Sequence, residues 1–270
     1  GAKYACSVSS ATNAIFLIFE GMNQSVSVPS ILPPVVNNAL LKAKSKITYT
    51  DNVSWVGHSY LLHQFKDYKV IDSAQKVEKN QFKIEANPED LMIFSFYPTK
   101  PVGSIDGGMI VSDDYEKIKY YKETSLNGMS FSKNNWERKI KFPGWKMYMN
   151  SFQAFVALEN LKKLDSKKDK LAAVREKYNR NLGYQNTSEH LYRIEVKNQN
   201  TAIKDMKDRG IACGIHYAAN HLNPVYQFPS EVRLNASEHV SKHTLSIPYH
   251  ELLTDEQTDY IIKSVLDITR

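Results

Sequence analysis

The stretch FSFYPTKPVGSIDGG, Phe94–Gly108, sets the problem that decides the fold. Preceded by Leu91, Met92 and Ile93, it begins as an apolar run of the kind found in a strand buried in a sheet. A lysine, Lys100, follows almost at once, then a loop, then a glycine pair that opens a second apolar run, GGMIVS. Most lysines are solvated surface groups, so Lys100 is either an ordinary exposed cation or an amine held at a sheet edge for chemistry.

Working outward, strands and helices alternate. YACSV (Tyr4–Val8) reads as a strand, and SSATNAIFLIFEGM as a helix capped by Ser9 or Ser10, with Ala14, Ile15, Ile18 and Phe19 on its apolar face. SVSVP and KITYT read as strands around a helix, PPVVNNALLKAK, that has proline in its first turn. YKVID (Tyr68–Asp72) is a mostly apolar strand ending in a carboxylate, and SDDYEKIKYYKETS has the cap and acidic first turn of a helix. This alternation predicts an α/β domain on a mostly parallel sheet.

From about Asn150 the pattern changes to two long helices broken near Asp165, then HLYRIEV, a helix over QNTAIKDMKDRG, a strand at ACGIHY and a last helix from Thr254. The chain therefore divides into a large domain, residues 1–168, and a smaller C-terminal α+β domain, residues 169–270.

Composition excludes several classes. With 42% hydrophobic residues the 270-residue chain can build a real core. The net charge of +6 comes from mixed charges; its densest basic run, Leu161–Asn181, has helical apolar spacing and reads as a solvated helix face, with no motif for nucleic acid. Cys6 and Cys213 are far apart and belong to no Cys/His cluster, so no metal site is expected. Unpaired thiols, no apolar run of the about 20 residues that cross a bilayer, and no visible signal peptide predict a soluble cytoplasmic protein.

In open α/β sheets ligands bind beyond the carboxyl ends of strands. Three features fall at such ends: Ser10-Ala11-Thr12 where a strand turns into a helix, Asp72 followed by Ser73, Ala74 and Gln75, and Lys100 with Ser95 five residues before it. Singly each is ordinary capping, a turn residue or a surface lysine. Together they match the needs of pyridoxal phosphate: an amine for its aldehyde, a carboxylate against its ring nitrogen, and hydroxyls and helix-start N–H groups for its phosphate.

The same segments resemble the DegT/DnrJ-type sugar aminotransferases, pyridoxal-phosphate enzymes of fold type I, over nearly the whole chain. VSSATNA is similar to the family's Ser-Gly-Thr phosphate turn, VIDSAQ to its Asp-x-Ala-Gln/His segment, and FSFYPTKPVGSIDGG to its Ser-Phe…Lys…Gly-Glu-Gly-Gly segment. PGWKMYMNSFQAFVALENLKKLD, GIHYAANHLNPVY and LSIPYHELLTDEQ resemble its later segments. The resemblance implies that Lys100 binds the cofactor aldehyde and shuttles the proton. Asp72 then meets the ring nitrogen, Gln75 lies near the ring hydroxyl, and Ser95, Ser10, Ala11 and Thr12 hold the phosphate. It implies amino transfer, usually from glutamate, to a keto group of a nucleotide-linked deoxysugar for surface polysaccharide or glycoconjugate synthesis, by a homodimer with its sites at the subunit interface. His216 and Tyr217 are the implied substrate contacts; on its residues alone, His216 reads equally as a strand histidine satisfied within the fold.

The chain departs from the pattern in places. Lys146 stands where the family has an asparagine that reaches the partner subunit's phosphate; it is either a substitute cation for that phosphate or an exposed lysine. Tyr148 replaces an arginine, Ala11 a glycine, Asp106 a glutamate, and Pro33 and Pro34 stand where a ring-stacking aromatic is usual. The segment before the phosphate turn is missing, and Asp51–Asp67 is too short for the usual strand and helix, with VSWVGHSY as their remnant. These departures sustain an alternative, a pseudoenzyme that keeps the fold for dimerisation or binding. Sugar dehydration is a third reading, opposed by Lys100, because the family's dehydratases carry histidine there.

Overall fold

The computed structural model describes residues 1–130, 134, 137–226, 228–229 and 232–269. Two compact units divide the chain: residues 1–28, 35–48 and 59–162 form one, and residues 29–34, 49–58 and 163–270 the other. Among the described residues no helix is long and apolar enough to cross a membrane.

In the first unit, β1 (Tyr4–Val8), β4 (Tyr60–Gln64), β5 (Lys69–Asp72), β6 (Leu91–Ser95) and β7 (Gly108–Ser112) form a sheet in the order β1-β7-β6-β5-β4. Only β5 and β6 run parallel; β1 with β7, β6 with β7, and β4 with β5 are antiparallel. The sheet is thus mixed rather than mostly parallel. At β4 a four-residue link of residues 65–68 is too short for a crossover, which takes a dozen residues or more, so the chain turns back as a hairpin; β7 runs antiparallel to both of its neighbours. Residues 51–58 form turns, and the strand begins at Tyr60.

Alternation along the strands then fixes what shares a face. Ile71, Met92 and Val111 point to one side and pack with Phe82 of α3 (Gln81–Glu85). Asp72, Ser95 and Gly108 point to the other, where α1 (Ala11–Phe19) buries Ala14, Ile15, Leu17, Ile18 and Phe19. α4 (Tyr115–Ser125) packs beside it, with Ile118 and Tyr121 buried. β2 (Ser25–Pro29), α2 (Pro34–Lys42) and β3 (Lys46–Thr50) follow α1, with the predicted proline at the start of α2. α5 (Ser151–Lys162) ends this unit.

The second unit opens on α6 (Leu164–Leu182), so the helix break falls at Lys163. β8 (Tyr192–Glu195) and β9 (Thr244–Ile247) pair antiparallel. One face of that pair joins a core of Tyr178, Tyr192, Ile194, Met206, Leu245 and Ile247 with residues of α7 (Gln199–Asp208) and α9 (Asp255–Thr269). The strand expected at ACGIHY is reduced to a single bridge, Gly214 to Ser246. α8 (Asn235–His243) takes its cap from the inserted segments: the Asp51 carboxylate accepts from the N–H groups of Ala236 and Ser237 at 2.9 and 2.6 Å. Asn220 similarly donates to the carbonyls of Ser30 and Leu32, which ties residues 29–34 into this unit.

Candidate active site

The phosphate-turn candidates form the start of α1. The Ser10 hydroxyl accepts from the Asn13 N–H at 3.1 Å and caps the helix, which leaves the Ala11 and Thr12 N–H groups outside the intrahelical ladder. Gly108 explains how β7 comes so near. A Cβ there would lie 2.5 Å from the Ala11 nitrogen and 2.6 Å from the Ser10 carbonyl carbon, so only glycine lets the strand run against the turn. Gly108 is also the cross-strand partner of Ser95. Residues 10–12, 95 and 108, distant in sequence, therefore converge on one patch.

Asp72 closes β5 on the same face and is 5% exposed. Oδ1 accepts from the Ala74 N–H at 2.9 Å and Oδ2 from the Tyr60 hydroxyl at 3.0 Å. Burial holds the Asp72 carboxyl above the usual carboxylate range, against the pull of those two donors and of the Lys100 charge. Beyond it the backbone is pinned: Ser73 donates its N–H to the Ile93 carbonyl, and Gln81 Nε2 donates to the hydroxyls of Ser73 and Ser59. Gln75 is buried close behind.

Lys100 lies in the loop that joins β6 to β7. The loop is closed at its neck by Phe96 N–H to the Gly107 carbonyl and Ser104 N–H to the Phe96 carbonyl, each 2.8 Å. α5 clamps it from outside, Asn160 donating to the Gly103 carbonyl and the Ser104 hydroxyl to the Gln153 carbonyl, both at 2.7 Å. Burial pushes the Lys100 pKa down, and Asp72 is the charge that opposes the fall. The amine and the carboxylate thus act on each other.

Lys146 is exposed, on an extended segment that pairs with Leu126; the next residue, Met147, accepts from the Ser9 N–H at 2.7 Å. His216 and Tyr217 belong to the second unit. His216 Nδ1 lies 2.9 Å from the Ser246 hydroxyl, and Tyr217 stacks on Trp55 with ring planes 3° apart. Sequence reasoning missed Tyr60. Its signal, a tyrosine placed to face Asp72 across a hairpin, exists only once the register is known.

A family profile described as the DegT/DnrJ/EryC1/StrS aminotransferase family matches residues 83–266, more than half of the chain. The chain belongs to that family. Among curated relatives, this DegT/DnrJ-family chain is 28% identical over 214 residues to the spore coat polysaccharide biosynthesis protein SpsC of Bacillus subtilis, covering 67% of the chain and spanning about half, 54%, of the relative. It is 23% identical to a UDP-4-amino-4,6-dideoxy-N-acetyl-beta-L-altrosamine transaminase of Campylobacter jejuni over 99% of the chain and 86% of the relative. That alignment runs to 329 positions, so it opens gaps within the chain. Among solved structures, NtdA from Bacillus subtilis, determined with bound cofactor PMP, superposes with a TM-score of 0.81 at 20% identity, covering 99% of this chain and 74% of that one. The fold is that of the fold type I aminotransferases.

Proposed function

We propose that the protein is a pyridoxal-phosphate-dependent sugar aminotransferase, which moves an amino group from glutamate to a keto group of a nucleotide-linked deoxysugar for surface polysaccharide or glycoconjugate synthesis. The single observation that carries this reading is the placement of Asp72, buried at the end of β5, and of Lys100, half-buried in the loop just after the adjacent parallel strand β6, at the same edge of the sheet. A fold kept only for binding has no reason to bury a carboxylate there, because burying a charge is costly. That argues against the pseudoenzyme.

The donor set fits the cofactor. Asp72 keeps acceptor capacity on both oxygens after Ala74 and Tyr60 are served, enough for a protonated ring nitrogen. Ser95 and the N–H groups of Ala11 and Thr12, at the start of a nine-residue helix, suit a phosphate. Gln75 would lie near the ring hydroxyl. When bound, pyridoxal phosphate supplies an aldehyde that captures amines and a ring that withdraws electrons from the donor's Cα. Lys100 Nζ would hold that aldehyde at rest and, once displaced by the donor, take the Cα proton. Its depressed pKa suits it to the task, since a base works best with a pKa near the working pH.

A homodimer belongs to the same proposal. α5 leaves Phe152 67% and Phe155 61% exposed, with Leu158 and Leu161 beside them, and of its residues only Ala157 is buried. Trp145 and Tyr148, near Lys146, are also exposed. So many exposed large apolar side chains suit a protein interface, and α5 also clamps the Lys100 loop. In such a dimer Lys146 would reach the partner's phosphate as a point charge, and His216 and Tyr217 would meet the substrate. Action in the cytoplasm and the absence of nucleic-acid and membrane partners complete the proposal.

The test is spectroscopic and then chemical. Protein purified with pyridoxal phosphate shows a visible absorption band that Lys100→Ala abolishes, and glutamate with a panel of nucleotide-linked keto sugars yields one amino sugar and 2-oxoglutarate. A protein that takes up no cofactor overturns the proposal.

A further inference from the structure

The β8–β9 pair has a second face. Arg193 lies opposite Ser246, and alternation turns both away from the core that takes Tyr192, Ile194, Leu245 and Ile247. On the far side of β9, Gly214 exchanges backbone hydrogen bonds with Ser246 at 2.8 and 2.9 Å. His216 folds back over this row and sets its Nδ1 2.9 Å from the Ser246 hydroxyl. A Cβ on Gly214 would stand 2.8 Å from the imidazole Cε1, so the ring lies close over this glycine. Trp55, fixed by its indole N–H to the Ile31 carbonyl at 2.8 Å, stacks on Tyr217.

Arg193 is the unbalanced member of this group. Its Nη1 is sealed from solvent without a hydrogen-bond partner, and it forms no ion pair among the described residues. Glu195, two residues along the same strand, is committed to His239 at 3.0 Å. Burial depresses the Arg193 pKa, and only Tyr217 opposes it. Arg193 as a whole is half-buried, but a guanidinium nitrogen sealed from water without a partner is unfavourable. Such a nitrogen, on the strand position paired with Ser246, suits an anion that would satisfy it.

We propose that Arg193, on the strand position paired with Ser246, is an anion anchor: its guanidinium binds an oxyanion of the substrates, a carboxylate or a phosphate. Both match the planar fork of arginine, which a point charge cannot reproduce. The proposal rests on the aminotransferase reading, in which the amino donor brings carboxylates and the sugar nucleotide brings phosphates.

Two ligands that cannot react separate the sources: glutarate, a dicarboxylate without an amine, and uridine diphosphate. Each is titrated calorimetrically into cofactor-loaded protein, wild type and Arg193→Met. The variant keeps its visible cofactor band and melts no lower than wild type, because it removes a sealed nitrogen that has no hydrogen-bond partner. It binds one of the two ligands at least about ten-fold more weakly, as expected for losing a charge-assisted hydrogen bond. Loss confined to uridine diphosphate assigns a phosphate to Arg193, and loss confined to glutarate assigns a carboxylate. Unchanged affinity for both overturns the anchor while the retained band leaves the aminotransferase reading intact; a wild type without that band fails the underlying reading instead. If Arg193→Met does not fold, Arg193→Lys decides: weaker binding of one ligand supports the anchor, and unchanged binding of both overturns it.

Discussion

The Tyr60 hydroxyl donates to Asp72 Oδ2 at 3.0 Å, directly across the β4–β5 hairpin. The four-residue link of residues 65–68 creates this contact, since the hairpin brings β4 alongside the strand that ends in the carboxylate. Tyr60→Phe therefore removes a donor from a buried charge. We expect apo-protein stability to fall by about 1–3 kcal/mol and cofactor to dialyse out faster, with the circular dichroism unchanged. Equal stability and equal retention would remove Tyr60 from the site.

Asp72 also sets a pH dependence. Burial raises its native pKa, so between the unfolded value, about 3.9, and the raised native one the folded protein binds more protons than the unfolded chain. The contribution of Asp72 to stability is thus most favourable below the unfolded value and is lost as pH climbs through the native pKa. Asp72→Asn abolishes that loss. Urea midpoints of the two apo-proteins, compared from acid to neutral pH, should show wild type losing ground to the variant as pH rises; parallel curves, or a gap of the opposite sign, would contradict the assignment.

Gly108→Ala should damage the phosphate turn directly. The added methyl meets backbone atoms of Ser10 and Ala11, which cannot rotate away as a side chain can. Overpacking of this kind costs about 1–3 kcal/mol. Denaturant unfolding measures the loss, and a variant as stable as wild type with full cofactor affinity would show that β7 and α1 are not so closely set.

Much of this site could be read from the residues, because strand ends and helix starts carry their own signals: the Ser10 cap, the apolar strands ending at Asp72 and Ser95, and the glycine pair before β7. Strand direction could not. Alternating elements suggested parallel pairing, yet direction at β4 is set by a link of four residues whose ends are visible only once Tyr60–Gln64 is known to be a strand. Tyr60 and Arg193 escaped for the same reason. Their roles depend on cross-strand partners, Asp72 and Ser246, which local pattern does not reveal. The strand at ACGIHY failed because Gly214 makes one bridge before the chain turns at His216.

The exposed face of α5 predicts an assembly. Phe155→Glu places a charge in that face and should convert a dimer to a monomer in light scattering, with weaker cofactor retention through the Lys100 loop. Lys146→Ala, a change at an exposed residue, should leave stability within about 0.5 kcal/mol while weakening retention in the dimer. A wild-type protein that is already monomeric would contradict the dimer proposal.

The most direct test of the central claim is chemical capture at Lys100. Cofactor-loaded protein is treated with borohydride, digested and mapped by mass spectrometry. The account predicts a pyridoxyl group fixed to the peptide carrying Lys100 and to no other lysine. Modification at a different lysine, or none in protein that holds the cofactor, would contradict it.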